Sequence, residues 1–259
     1  MNTELDIHVL DVGQGDAMIL HQPGACSLLI DAGPLINGHR VTSKLEELGI
    51  ESLDMVIVTH PHLDHFGGLF DVLPRISAKR FYDNGLTNDT WEYFDDYRLL
   101  RAGQPNKTLG RGMNLGCGDI GLEVLYPPPA PGPQAKINDT SMALLISFHD
   151  FKLLHMGDLA GDGEKGFLEL GDIPRADIIK IAHHGAIDST SEQLLQNVSP
   201  NQALISTAAP NRIDSPAAEL LDRLDRHHIP CYRTDRNGDI TIRIQPGSYV
   251  INTKKERPQ

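Results

Sequence analysis

The chain carries Thr59-His60-Pro61-His62-Leu63-Asp64-His65, followed at once by Phe66-Gly67-Gly68. Three imidazoles and a carboxylate crowded into so few residues form a metal-ligand array. Neutral imidazole and carboxylate suit Zn²⁺, Mn²⁺ and Fe²⁺ better than Ca²⁺ or Mg²⁺, which prefer oxygen shells. His60 and His62 are two apart, so an extended segment points both the same way and lets them share one ion. Asp64 and His65 follow after the chain turns, with Gly67-Gly68 permitting a tight turn, and can reach a second ion. A loop of solvated histidines is the bland alternative. It is set aside because such an array arises by chance in about one in ten thousand chains of this size.

An array of this kind must be held by regular elements. Met55-Val56-Ile57-Val58 reads as a buried strand that delivers the histidines at its end. Two further strand ends carry ligand-type residues. One is Asp158, closing the hairpin of 142–148 and 151–156, and the other is His183-His184, closing the apolar run 178–182. Side chains at strand ends of an α/β fold converge on one rim, so the three groups can meet. Upstream, Leu5 to Val12, Ala17 to Leu20 and Ser27 to Ile30 read as a meander, with Asp11, Asp16 and Asp31 at strand ends. Turn chemistry is the simpler role for these carboxylates, and hydrogen-bonded support of the metal loop is the other.

The remaining elements follow from local signals. A helix is expected over 44–48, opened by Ser43 and closed by Gly49, and another over 67–73, ending at Pro74. An aromatic-rich helix or lid is expected over 88–102, and a stiff proline-rich loop over 127–133. Residues 217–227 read as a helix with Ser215 as N-cap and Pro216 at its first position. The hairpin from 232 to 251 is expected to complete a second sheet.

With 259 residues, 40% hydrophobic and 22% charged, the composition is that of an ordinary globular protein, long enough for one large α/β domain or two small ones. No apolar run approaches the ~20 residues of a membrane span, so no membrane partner is expected. Cys26, Cys117 and Cys231 are odd in number and far apart, so they read as reduced thiols of a cytoplasmic protein. The net charge of −12 opposes sequence-independent binding to long nucleic acid. The basic residues expected near the rim are sparse: Arg212, Arg233 and Arg236.

The motifs DVGQGDA, LLIDAG, VTHPHLDHFGG, NDTSMALL, LLHMGD, IIKIAHHGAIDSTS and YRTDRNGDITI occur in that order. Together they resemble the metallo-β-lactamase superfamily, and within it the hydrolase domain that ends the bacterial DNA-internalisation competence channel protein. The resemblance covers nearly the whole chain and implies a single hydrolase domain over 1–259, a four-layer αββα sandwich with a site between its two sheets for two divalent metal ions, Zn²⁺ or Mn²⁺. It implies His60 and His62 on one ion, Asp64 and His65 on the other, and Asp158 bridging. Of the late pair, His183 is favoured as ligand and His184 as second ligand or phosphate contact, with the reverse assignment also open. Asp64, Asp158 and His184 are the residues expected to carry the reaction.

Two departures stand out. Asn138-Asp139-Thr140-Ser141 replaces a histidine that many superfamily members place before the hairpin, and Ser215 stands where relatives carry another. The implied activity is a phosphodiesterase or nuclease using a metal-activated hydroxide on a small phosphodiester or short single-stranded nucleic acid. The same site would also suit a carbonyl ester, thioester, lactone or amide. A module regulated by a protein partner is the third reading.

Overall fold

In the computed structural model, which describes residues 3–86, 93–127, 136–208 and 214–255, the apolar strands assemble into two large sheets packed face to face. Among the described residues the first has eight strands. From one edge it runs Ser248–Thr253, Ile240–Gln245, Leu5–Val9, Ala17–Gln22, Cys26–Ala32, Met55–Val58, Phe81–Asp83 and Asn106–Thr108. The second has seven: Cys231–Arg233, Gln202–Ile205, Ile178–Lys180, Phe151–His155, Ala143–Phe148, Ile120–Tyr126 and Asn114–Cys117.

Alternation along the strands divides the apolar side chains into three layers. Ile7, Leu20, Ile30 and Ile57 of the first sheet meet Leu122, Leu144, Leu153 and Leu204 of the second in the central core. On its other face the first sheet presents Ile19, Leu29 and Val56 to Val41, Leu45, Phe66 and Tyr97 of the flanking helices. The second does the same with Leu154, Ile179 and Ala203 against Phe167, Leu194 and Leu220. Both sheets are covered outside by helices, as the expected αββα sandwich requires.

Several boundaries differ from the sequence expectation. The first helix spans Gly38–Glu47 and not 44–48, because Val41, Thr42 and Leu45 together bury one face against the sheet. Ser43 therefore lies inside it, while Gly49, at φ 69°, ends it as expected. The expected helix over 67–73 is two single turns, Leu63–Phe66 and Leu69–Val72. Close approach explains the glycines between them: a Cβ on Gly68 would lie 1.9 Å from the Ala32 carbonyl oxygen. The aromatic helix is Phe94–Ala102, with 87–92 outside the described residues, as is most of the proline-rich loop. The helix after Pro216 is Ala218–Arg226, with Ala217 and not Ser215 at its N-cap.

Two corrections are larger. The terminal hairpin does not complete the second sheet; Ile240–Gln245 pairs antiparallel with Leu5–Val9 and so closes the first. Its inward residues Ile240, Ile242 and Ile244 find the central core there. The cysteines are not all reduced, since Cys26 and Cys117 form a disulfide between the two sheets, in which Cys231 takes no part. The spacing of 91 residues gave no sign of this, and the thiol argument for a reducing compartment falls with it. Among the described residues no helix is long and apolar enough to cross a membrane.

Candidate metal centre

Five backbone segments converge where strands of both sheets end. Met55–Val58 delivers His60, His62, Asp64 and His65, the turn after Phe151–His155 delivers Asp158, and the turn after Ile178–Lys180 delivers His184. Cys26–Ala32 supplies Asp31, and the turn before Ala17–Gln22 supplies Asp16.

Ligand atoms of His60, His62 and Asp158 lie within 4.8 Å of one another, as do those of Asp64, His65 and His184. His60 Nε2 faces His62 Nδ1 at 2.8 Å and lies 3.6 Å from Asp158 Oδ2. In the other group His184 Nε2 is 3.2 Å from Asp64 Oδ2 and 3.8 Å from Asp158 Oδ2. His65 Nε2 sits 3.2 Å from the same Asp158 oxygen without hydrogen-bond geometry. Asp158 thus stands between the two groups. Its Oδ1 is buried with no hydrogen-bond partner, as is His65 Nε2. Buried polar atoms are normally satisfied, so orphans inside a ring of imidazole and carboxylate mark a place for a cation.

Asp31 orients the array from behind. It accepts from the Thr59 amide at 2.8 Å, from Thr59 Oγ1 at 2.7 Å and from His65 Nδ1 at 2.8 Å. Thr59 Oγ1 in turn lies 3.1 Å from His60 Nδ1. One carboxylate therefore fixes the outer nitrogen of His65 directly and that of His60 through a hydroxyl, leaving both Nε2 atoms aimed inward. The supporting role considered for the strand-end carboxylates holds for Asp31. Asp11 instead lies at the surface beside Arg40 and Lys255. Ser141, in the stretch that replaces the familiar histidine, accepts from the Asp158 amide at 2.9 Å and lies 3.2 Å from His60 Nδ1.

The late histidines part company. His183 and His184 both adopt left-handed backbone, φ 49° and 54°, and Gly185 follows at 86°. Such conformations cost roughly 1–3 kcal/mol each for residues with a Cβ and persist where the surroundings impose them. The turn throws the two rings 6.2 Å apart. His184 is buried, with Nδ1 3.1 Å from the Ser206 carbonyl oxygen, so Nδ1 carries the proton and Nε2 faces Asp64. His183 Nε2 instead meets Asn138 Nδ2 at 3.2 Å and joins neither ligand group. Among the described residues His184 stands in a His/Asp group, while His183 lines a polar cleft of about 280 Å³ together with Asn138 and Lys136. H184A should weaken Mn²⁺ binding at least about tenfold, whereas H183A should leave it within about threefold, as calorimetric titration of metal-free protein would show.

Burial lowers the pKa of His60 well below its usual value, His65 adding to the effect, and lowers His62 to about 4, so both rings are neutral and ready to ligate. Burial alone would do the same to His65 and His184. Asp158 and Asp31 instead raise His65 well above its usual value, and Asp158 with Asp64 and Asp16 raises His184. These two rings hold protons that a cation must displace. Metal uptake at pH 7 should therefore release protons, and affinity should rise with pH between pH 6 and 8, about tenfold per unit for each proton displaced. Calorimetry in buffers of different ionisation enthalpy measures that number. Uptake without proton release would contradict the assignment of His65 and His184.

Residues 10–209 match the model of the metallo-beta-lactamase superfamily. The chain belongs to this superfamily. It is a superfamily hydrolase, and its two His/Asp groups are candidate sites for the divalent ions such folds generally bind. It is 31% identical over 269 residues to ComE operon protein 3 of Bacillus subtilis, covering 95% of this chain and 34% of that protein. Competence protein ComA of Neisseria gonorrhoeae is 25% identical, over 94% of this chain and 33% of its own length. The chain thus spans about a third of these relatives. Over 37% of its length it is 33% identical to exodeoxyribonuclease WalJ of Streptococcus pneumoniae, covering 35% of that protein. Among solved structures, a diphosphatase of the PhnP family shares the fold, with TM-score 0.54 and 14% identity over 93% of this chain and 99% of that one.

Proposed function

We propose that the protein is a metal-dependent phosphodiesterase acting on a small phosphodiester or a short single-stranded nucleic acid. The observation that carries this is the pair of three-residue ligand groups meeting at one buried carboxylate, Asp158. His60, His62 and Asp158 would hold one divalent ion, and Asp64, His65 and His184 the other. Bound there, Zn²⁺ or Mn²⁺ supplies a Lewis acid for a phosphoryl oxygen and a water acidic enough to attack at neutral pH.

The protein's own groups do the positioning. Asp158 spans both ligand groups and orients the nucleophile between them. Asp31 and Ser206 fix the ring nitrogens that face away from the site. His183 and Asn138, at the edge of the adjoining cleft, are placed to meet the leaving group or an unreacting part of the substrate. The names of the exodeoxyribonuclease and diphosphatase relatives support a phosphate ester over a carbonyl substrate.

Charge bears on substrate size. The chain has 23 basic residues against 35 acidic ones. Of the basic cluster expected near the rim, Arg212 lies outside the described residues, and Arg233 is held by Asp235 at 2.7 Å. Long duplex is held mainly through many phosphate contacts, each adding to the salt-dependent part of affinity. Bis-p-nitrophenyl phosphate and short oligonucleotides should therefore be turned over with higher kcat/KM than long duplex at ~150 mM salt. Faster hydrolysis of p-nitrophenyl acetate than of the phosphodiester would overturn the substrate class. Processive cleavage of long duplex would overturn the size preference alone.

A further inference from the structure

Directly behind the second ligand group lies an ion pair that the hydrolytic reading leaves unused. Lys180 is 1% exposed, and its Nζ contacts Asp16 Oδ1 at 2.8 Å and Oδ2 at 2.9 Å. Lys180 ends a strand of the second sheet, whereas Asp16 sits in the turn before a strand of the first, 164 residues away in sequence. A buried ion pair seldom adds net stability, because desolvating both charges offsets their attraction. Its position suggests another purpose.

Asp16 stands within reach of the second ligand group. An oxygen of its carboxylate lies within 4.8 Å of a carboxylate oxygen of Asp158 and of a ring nitrogen of His184, and it approaches that ring from the Nδ1 side at 3.8 Å. Its backbone is fixed against the metal loop, the amide donating to the Asp64 carbonyl at 3.2 Å and the carbonyl accepting from Gly33 at 2.7 Å. Yet both oxygens are engaged by one ammonium. Four carboxylates crowd the site, Asp16, Asp31 and Asp158 buried and Asp64 partly exposed, and among the described residues Lys180 is the lysine that reaches them.

We infer that Lys180 is a positioning residue that withholds Asp16 from the second ion. Asp64, His65, His184 and the shared Asp158 already offer that ion four protein ligands, and a fifth from Asp16 would close its shell to water and substrate. A catalytic ion instead keeps a position open for water or substrate. By claiming both Asp16 oxygens, Lys180 leaves that position open and keeps a carboxylate from over-tightening the ion. The inference rests on the proposed metal site, and the test separates the two.

Metal-free wild type, K180M, K180Q, D16N and D16N/K180M are titrated with Mn²⁺ by calorimetry, with bis-p-nitrophenyl phosphate turnover as a second readout. Loss of Lys180 frees Asp16 to ligate, so K180M and K180Q should bind the second Mn²⁺ at least tenfold more tightly while turning over more slowly. D16N/K180M should return to within threefold of wild-type affinity, and D16N alone should also stay within threefold. Unchanged or weaker binding in K180M and K180Q would overturn the inference. A tenfold loss in D16N would overturn it too, by making Asp16 a ligand already. Failure of both single Lys180 variants to fold, while D16N/K180M folds, would assign the pair to stability alone. Wild type that binds no Mn²⁺ would remove the metal site itself, and this inference with it.

Discussion

Replacing Asp158 by Asn is expected to lower kcat/KM for a phosphodiester at least about a thousandfold, equivalent to about 4 kcal/mol of transition-state stabilisation. The size follows from position. Asp158 is the carboxylate near ligand atoms of both groups, at 3.6 Å from His60, 3.2 Å from His65 and 3.8 Å from His184. His65 and His184 hold its carboxyl well below the usual range against the opposing effect of burial, so it is fully ionised at neutral pH. The amide keeps the shape but loses the charge that two cations would share. D31N should be milder, lowering metal affinity about 10–100-fold, because Asp31 acts through His65 and Thr59. Elemental analysis and steady-state kinetics read both. An Asp158 variant with full metal content and normal turnover would place the chemistry elsewhere.

Reducing the Cys26–Cys117 disulfide should destabilise the fold by about 2–4 kcal/mol, the usual range for a bond that closes so long a loop. The bond joins the strand that runs on to Asp31 to the edge strand of the opposite sheet, so it ties the two layers that enclose the site. Its effect should appear in stability more than in chemistry, because Cys26 begins the strand whose other end carries Asp31. Denaturant unfolding with and without a thiol reductant, and of C26A/C117A, measures the difference. Identical midpoints would mean that the two sheets hold together without the bond.

The site was readable in the sequence where its residues are local. His60, His62, Asp64 and His65 lie on one short segment behind a clear strand, so their convergence needed only the period of an extended chain. Asp158 was equally legible as a carboxylate at the end of a hairpin strand. The separate placement of His183 and His184 was not, because it depends on consecutive left-handed residues that only the packed turn imposes. Lys180 escaped notice for a related reason. In Ile178-Ile179-Lys180-Ile181-Ala182 it looks like one polar residue in an apolar strand, and its partner Asp16 is identifiable only once both sheets are in place. Strand and helix patterning gave an α/β character, and the sandwich followed from the family resemblance that the ordered motifs carry; neither foretold the return of the terminal hairpin to the first sheet. Alternating apolar residues name a buried face without naming the sheet that receives it.

Asn138 offers the sharpest handle on the ions. The first group has two imidazoles and the bridging carboxylate, while Asn138, where many relatives have histidine, is turned to His183. The second group has a carboxylate and two imidazoles of its own besides Asp158. The two positions should therefore differ in affinity. The most direct measurement titrates metal-free protein with Mn²⁺ while following both binding heat and bis-p-nitrophenyl phosphate hydrolysis. Two resolved binding steps, with turnover rising to saturation as the second fills, are expected. Turnover that persists in the metal-free protein, or metal that binds without restoring phosphodiester hydrolysis, would contradict the account.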